Sequence, residues 1–498
     1  MMFSNDDKAC TGIEGLDDVL AGGLHRNRLY LLEGNPGTGK TTLALKFLLE
    51  GRDRGERVLY FTLAETAEEL RHCAESHGWS LDGIEIFEVI PADALLDESQ
   101  RQSLLYSSDL ELGETTKTIF EKVDEFKPAR VVLDSLSEIR LLAQSSLRYR
   151  RQVLAMKHRF SQQGATVLLL DDMTSEALDK TVHSVAHGVI KLEELAPDYG
   201  AERRRLRIVK YRGQRYRGGY HDFNIAVGGI VVFPALVAGE HRMRFGRDKV
   251  GSGIETFDEL LGGGLERGTS ALVLGPAGAG KTLLTLSFVV AAIRRGERAA
   301  IFAFDEDIGL LAARAFNMGM DLVQYTESGQ LILEQVDAAE HSPGEFAHRV
   351  RDCVEKHNVT TVLIDSLNGY QLAMPEERYL ILHMHELLTY LNRSGIVTFL
   401  TVAQHGLVGS DMQSPVDLTY LSDTVILLRY FEAMGRVRRA ISVIKKRDGF
   451  HENAIRELLI SSKGVQVGAA LEAFQGVLRG IPEYIGRDNA LLDTDGAK

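Results

Sequence analysis

Cysteine is scarce in this chain: 498 residues hold three, Cys10, Cys73 and Cys353. They lie far apart with no C-x-x-C pair, which argues against a zinc or disulfide framework and fits reduced thiols in the cytoplasm. A basic excess is also missing. Lys and Arg number 57 against 70 Asp and Glu, a net charge of −13. That balance argues against a generally basic nucleic-acid-binding surface, although it leaves room for a local groove. No long apolar run goes uninterrupted. The most apolar stretch, Leu272 to Ile293, contains Lys281 and several glycines, so it reads as strand, loop and helix rather than a membrane span. Met1 to Ala9 is polar and charged, which predicts no signal peptide. The remainder is ordinary for a globular protein, 44% hydrophobic and 26% charged.

What is present is one phosphate-binding loop, twice. Gly34-Asn35-Pro36-Gly37-Thr38-Gly39-Lys40-Thr41 and Gly275-Pro276-Ala277-Gly278-Ala279-Gly280-Lys281-Thr282 both fit G-x-x-x-x-G-K-[ST]. Each follows a strand-like run, Leu29 to Leu32 or Ala271 to Leu274, and each opens into a helix-like segment. In that context the glycines let backbone N–H groups close around phosphates, and the lysine reaches the β/γ oxygens. Thr42 and Leu283 complete the two ATP-binding stretches. The preceding phrases, Gly12 to Leu20 and Gly253 to Leu261, share the same offset: 253 − 12 = 241, and 281 − 40 = 241. So long a period means two duplicated domains rather than a solenoid. The expected boundaries are 1–240 and 241–484, with a short tail at 485–498. Within each half, β-rich runs alternate with amphipathic helical patterns, which predicts an α/β fold with a mostly parallel sheet flanked by helices. Later runs, Val425 to Tyr430 and Arg438 to Lys445, suggest an antiparallel extension.

A metal carboxylate should stand at the end of a second strand. Asp134 after Arg130 to Leu133, and Asp365 after Thr361 to Ile364, fit that role; Mg²⁺ would be held with the hydroxyls of Thr41 and Thr282. A group that orients water is also required. Glu65 follows Ala64 at the end of one strand, and Asp305 and Glu306 follow Phe304 in the other half. The competing reading is acids placed against a helix dipole. Gln404 could sense a γ-phosphate or act as a cap. Lys210 and Arg212 recur 235 residues later as Lys445 and Arg447. Ring ATPases use such cations from the neighbouring subunit, although charge runs are usually solvated faces.

The arrangement resembles the KaiC family of tandem RecA-type ATPases over nearly the whole chain. The most specific phrases are "SHGWSL" at Ser76 to Leu81, "LSDTVILLRYFE" at Leu421 to Glu432, "RAISVIKKRDGFHENAIRELLIS" at Arg439 to Ser461 and "AFQGVLRGIP" at Ala473 to Pro482. The resemblance implies a homo-hexameric double ring that binds ATP between subunits. It assigns water activation to Glu65, Asp305 and Glu306, trans contacts to Lys210, Arg212, Lys445 and Arg447, and an adenine contact to Ser76. The first functional reading is signalling to a partner protein; no membrane partner is expected from the apolar stretches, and the net charge and the absence of a recognisable nucleic-acid module argue against nucleic acid. Ala64 departs from the family's paired glutamates. The family's adjacent Ser-Thr phospho-acceptors correspond here to Thr419 and Tyr420, so Thr419 is the candidate acceptor. The competing functions are a RecA-type DNA-dependent motor and a nucleotide-gated scaffold with little turnover.

Overall fold

In this computed structural model the described residues are 7–89, 107–173, 181–196, 201–241, 243–373, 377–404, 419–461, 464–479 and 482–485. Most of the expected tail lies outside them. The chain divides into two compact units, Met1–Ala235 and Leu236–Lys498. Each is built on a nine-stranded sheet.

In the first unit the sheet runs, edge to edge, Gly229–Phe233, His221–Ala226, Arg203–Tyr211, Gly188–Leu195, Leu29–Glu33, Thr166–Asp171, Arg130–Asp134, Val58–Thr62 and Glu85–Glu88. From Gly188–Leu195 to Glu85–Glu88 the pairing is parallel, and the other three strands join antiparallel. The second unit repeats this order as Gly464–Ala470, Arg456–Ser461, Arg436–Lys446, Thr424–Ala433, Ser270–Gly275, Val397–Ala403, Val359–Asp365, Arg298–Ala303 and Leu331–Gln335. These are two RecA-like domains in tandem.

The strand before each P-loop reads as an unbroken buried run because both of its faces are covered by helices. Side chains alternate between the faces. Tyr30 and Leu32 join the core that contains Phe47 and Leu48 of the helix Lys40–Asp53, whereas Leu29 and Leu31 join Val153, Met156 and Phe160 of the helix Ser146–Gln162. In the second unit Ala271 and Val273 pack with Leu286 and Val289, and Leu272 and Leu274 with Met384 and Leu387. The P-loop strand lies centrally, with connections departing to either side. Ligands of such sheets bind at the carboxyl ends of the strands near that reversal. No helix among the described residues is long and apolar enough to cross a membrane.

Candidate active sites

Each P-loop turns directly into a helix whose N-cap is glycine: Gly39 with φ 92° and Gly280 with φ 102°. A Cβ there would meet only the side-chain tips of Ile225 and Ile460, so it is the left-handed turn that calls for glycine. Lys40 and Lys281 are the first helical residues, and both are buried. Lys40 Nζ donates to the carbonyls of Gly34 and Asn35, each at 2.9 Å. Lys281 does the same to Gly275 at 3.0 Å and Pro276 at 2.9 Å. Thr38 is buried and bonds to the carbonyl of Asn35. Leu283 packs in the core, so only its backbone is available to a nucleotide.

Asp134 and Asp365 end strands separated from the P-loop strand by one intervening strand. Thr41 Oγ1 donates to Asp134 Oδ2 at 3.5 Å, and the Tyr60 hydroxyl donates to the same oxygen at 2.6 Å. Burial raises the pKa of Asp134 and Asp172 adds repulsion, against the lowering effect of Tyr60. Asp365 accepts from Thr401 Oγ1. A threonine hydroxyl beside a carboxylate at a helix N-terminus is the oxygen donor set expected of Mg²⁺ held together with phosphates. The glycine cradle and buried lysine fit a polyphosphate equally well.

The acids differ between the halves. Glu65 has a raised pKa, first from burial and then from the charges of Asp134, Glu69 and Asp172. Its neighbour Thr66 forms a capping box with Glu69, which leaves Glu65 outside the capping role. In the second half Asp307 caps the helix Ile308–Phe316, Glu306 pairs with Arg314 at 2.7 Å, and Asp305 accepts from Ser366 Oγ. Gln404 is held against the second P-loop by its N–H, 3.1 Å from the carbonyl of Gly275.

Ser76 is exposed, and its hydroxyl donates to the Cys73 carbonyl of its own helix. The neighbouring His77 comes closer to the P-loop helix, with Nε2 3.4 Å from Thr42 Oγ1. Lys210 and Arg212 sit at the far end of the sheet from their own P-loop. Lys210 is opposite Val189 and Tyr211 opposite Gly188, which in turn pairs with Tyr30 near the start of the P-loop strand. Lys445 is opposite Val425, which pairs with Leu272. Lys210 Nζ bonds to the carbonyls of His183 and Ala186; Lys445 Nζ bonds to those of Thr419 at 2.7 Å and Ser422 at 2.8 Å. Arg212 and Arg447 likewise reach the Ser184 and Tyr420 carbonyls.

The duplication seen in the two halves is also what comparison with known proteins finds. Residues 9–237 and 250–472 each match the KaiC ATPase family. The chain belongs to that family. It is 30% identical over 497 residues to the circadian clock oscillator protein KaiC of Thermosynechococcus vestitus, covering 97% of this chain and 93% of that one. The KaiC of Synechococcus elongatus is 30% identical over 494 residues, with 96% and 92% covered. Circadian clock protein KaiC3 of a Synechocystis strain is 29% identical over 490 residues, with 96% and 95% covered.

Sequence reasoning missed Asp172, whose carboxylate lies 2.9 Å from Lys40 Nζ. It also missed Glu33, buried directly before the first P-loop with His183 Nε2 at 2.6 Å. Tyr60 was missed as well. The doubled acid Asp171-Asp172 at the end of a strand was the available signal for the first of these.

Proposed function

We propose that this KaiC-family chain is a cytoplasmic, ring-forming ATPase that binds Mg·ATP in both halves, in each case at an interface between copies of the chain. The observation that carries this reading is the position of the cation pairs. Lys210 with Arg212, and Lys445 with Arg447, lie at the end of the sheet away from their own P-loop. From there they serve phosphate only on another copy. Burial and the charges of Arg212 and Lys157 lower the pKa of Lys210, the mark of a crowded cation that an arriving anion would relieve. A ring, and most simply a hexamer, lets every copy both hold and complete a site.

When bound, Mg²⁺ neutralises charge on the β and γ phosphates. Lys40 and Lys281 reach those phosphates, while Thr41 with Asp134 and Thr282 with Asp365 would hold the metal. Glu65 in the first half, and Asp305 with Glu306 in the second, orient the water that attacks. Thr419 stands beside the second cation pair and is the acceptor we assign to an autokinase side reaction. Signalling of nucleotide or phosphate state to a partner protein follows the family relationship. Lys40→Ala and Lys281→Ala should each remove one class of nucleotide site, because a charge-assisted hydrogen bond contributes about 1.5–3 kcal/mol. Titration of nucleotide per chain checks this. A wild-type plateau of a single nucleotide per chain contradicts it.

A further inference from the structure

The end of the first sheet that carries Lys210 and Arg212 lacks a carboxylate that the second sheet has. In the second half Asp423 accepts from the backbone and hydroxyl of Ser270 and from Asn392 Nδ2, and it pairs with Arg447 at 3.4 Å. Gly188 pairs with Tyr30 and Thr424 with Ala271, and 271 − 30 = 241, so His187 is the counterpart of Asp423. Arg212, the counterpart of Arg447, donates to the Ser184 carbonyl and makes no ion pair among the described residues.

Beside His187 lies a cavity of about 170 Å³, lined in part by Asn27, Arg28, Lys157, Ser161 and His187. Its equivalent in the second half is differently built. Thr166 pairs with Arg130 and Val397 with Thr361, an offset of 231 that matches Lys157 to the buried Leu388. Thr269, Leu388 and Asp423 thus stand where the first half has Arg28, Lys157 and His187. Phe245 lies against Gly268 and Gly395, the equivalents of Asn27 and Gly164, and covers that place. In the first half the polar groups have bonds to spare. Lys157 Nζ donates to the Val185 carbonyl at 2.8 Å and Arg28 Nη1 to that of Asn27 at 3.1 Å, which leaves further donors on each. His187 Nε2 is shielded from solvent and has no hydrogen-bond partner among the described residues. Burial lowers the pKa of Lys157, and the charges of Arg212 and Arg28 lower it further, so these cations crowd one another.

We propose that this cavity binds inorganic phosphate, which supplies between Arg28, Lys157 and His187 the negative charge that Asp423 supplies in the second half. A hydrogen phosphate ion offers acceptor oxygens to the two cations and carries a hydroxyl as well, so it suits an imidazole nitrogen in either tautomer. The ATPase reading supplies the source of the anion, because hydrolysis at either P-loop releases it. The site itself stands on residues of one chain and does not depend on that reading.

The test is equilibrium dialysis of radiolabelled orthophosphate against the nucleotide-free full chain carrying Lys40→Ala and Lys281→Ala, which weaken phosphate binding in the P-loops. A single phosphate per chain should bind. Adding Lys157→Met should weaken it about tenfold or more, the effect of losing one charge-assisted hydrogen bond, and Lys157→Arg should restore it. Methionine keeps an unbranched stem without the charge. His187→Asp, which installs the carboxylate of the second half, should abolish binding, and it decides the matter if Lys157→Met fails to fold. Equal affinity in the Lys157→Met and parent chains overturns the inference. Loss of binding in Arg212→Ala with none in Lys157→Met would place the anion on the cation pair instead, and also overturns it. Absence of binding at millimolar phosphate overturns it too, and leaves untouched the ATP reading that nucleotide titration tests.

Discussion

Glu65 is held near Asp134, Asp172 and Lys40, and burial together with the like charges raises its pKa. A carboxyl in that setting is a better proton acceptor than a free glutamate, which suits it to water activation. In the Lys281→Ala background, Glu65→Gln should lower phosphate release at the first site about 10²-fold or more, the usual range for losing a general base. An unchanged rate would remove Glu65 from the chemistry. In the second half Glu306 is tied to Arg314 and Asp305 to Ser366, so the two acids there are differently constrained. At this scale the P-loop lysines, their hydroxyl neighbours and the strand-end aspartates were legible in the sequence, because their chemistry fixes residue type and spacing. Asp172 was not. Its meaning depends on the strand Thr166–Asp171 lying beside Leu29–Glu33, a neighbour far away along the chain. The pair Glu33 and His183 was hidden for the same reason.

At the scale of elements, apolar runs marked the P-loop strand of each half and the strands to one side of it, but not Gly188–Leu195. The run Val425 to Tyr430, expected in an antiparallel extension, lies in a strand that pairs parallel with Ser270–Gly275 and antiparallel with Arg436–Lys446. What periodicity did not supply was strand order, and hence which side of the sheet the cations occupy. The strand Gly188–Leu195 shows the cost of one substitution between halves. His187 precedes it and stands edge-on to His25, Tyr30 and Tyr211. The counterpart in the second half is Asp423, which bonds to Ser270 and Asn392. Burial, with the positive charges of Arg28, His25 and Arg212, pushes His187 down from 6.5 to about 4. The unfolded chain thus binds the proton first. The stabilising contribution of neutral His187 is complete above pH 6.5 and is lost as pH falls towards about 4. Thermal midpoints recorded from pH 7 down to 4 should fall less steeply in His187→Phe than in the parent chain. Parallel curves for the two proteins would show that His187 does not carry this dependence.

For the whole molecule, the duplication means that one chain carries two sites of the same plan with different surroundings. Thr419 shares the cation end of the second sheet, since its carbonyl receives Lys445 Nζ. In the proposed ring, phosphate transferred to it would come from a nucleotide on another copy. When Lys281→Ala chains are mixed with Thr419→Ala chains and incubated with Mg·ATP, phosphopeptide mapping should find phosphate at Thr419 of the former. Labelling at Thr419 in the wild type but not in the mixture would contradict transfer between copies.

The central claim is that both sites bind nucleotide where copies of the chain meet. Native mass spectrometry at micromolar protein with saturating Mg·ATP reads assembly and occupancy in one spectrum. Nucleotide shared between subunits favours the assembled state by mass action. The account predicts a hexamer with a nucleotide for each P-loop, dissociating when nucleotide is removed. A monomer with both sites filled would contradict it.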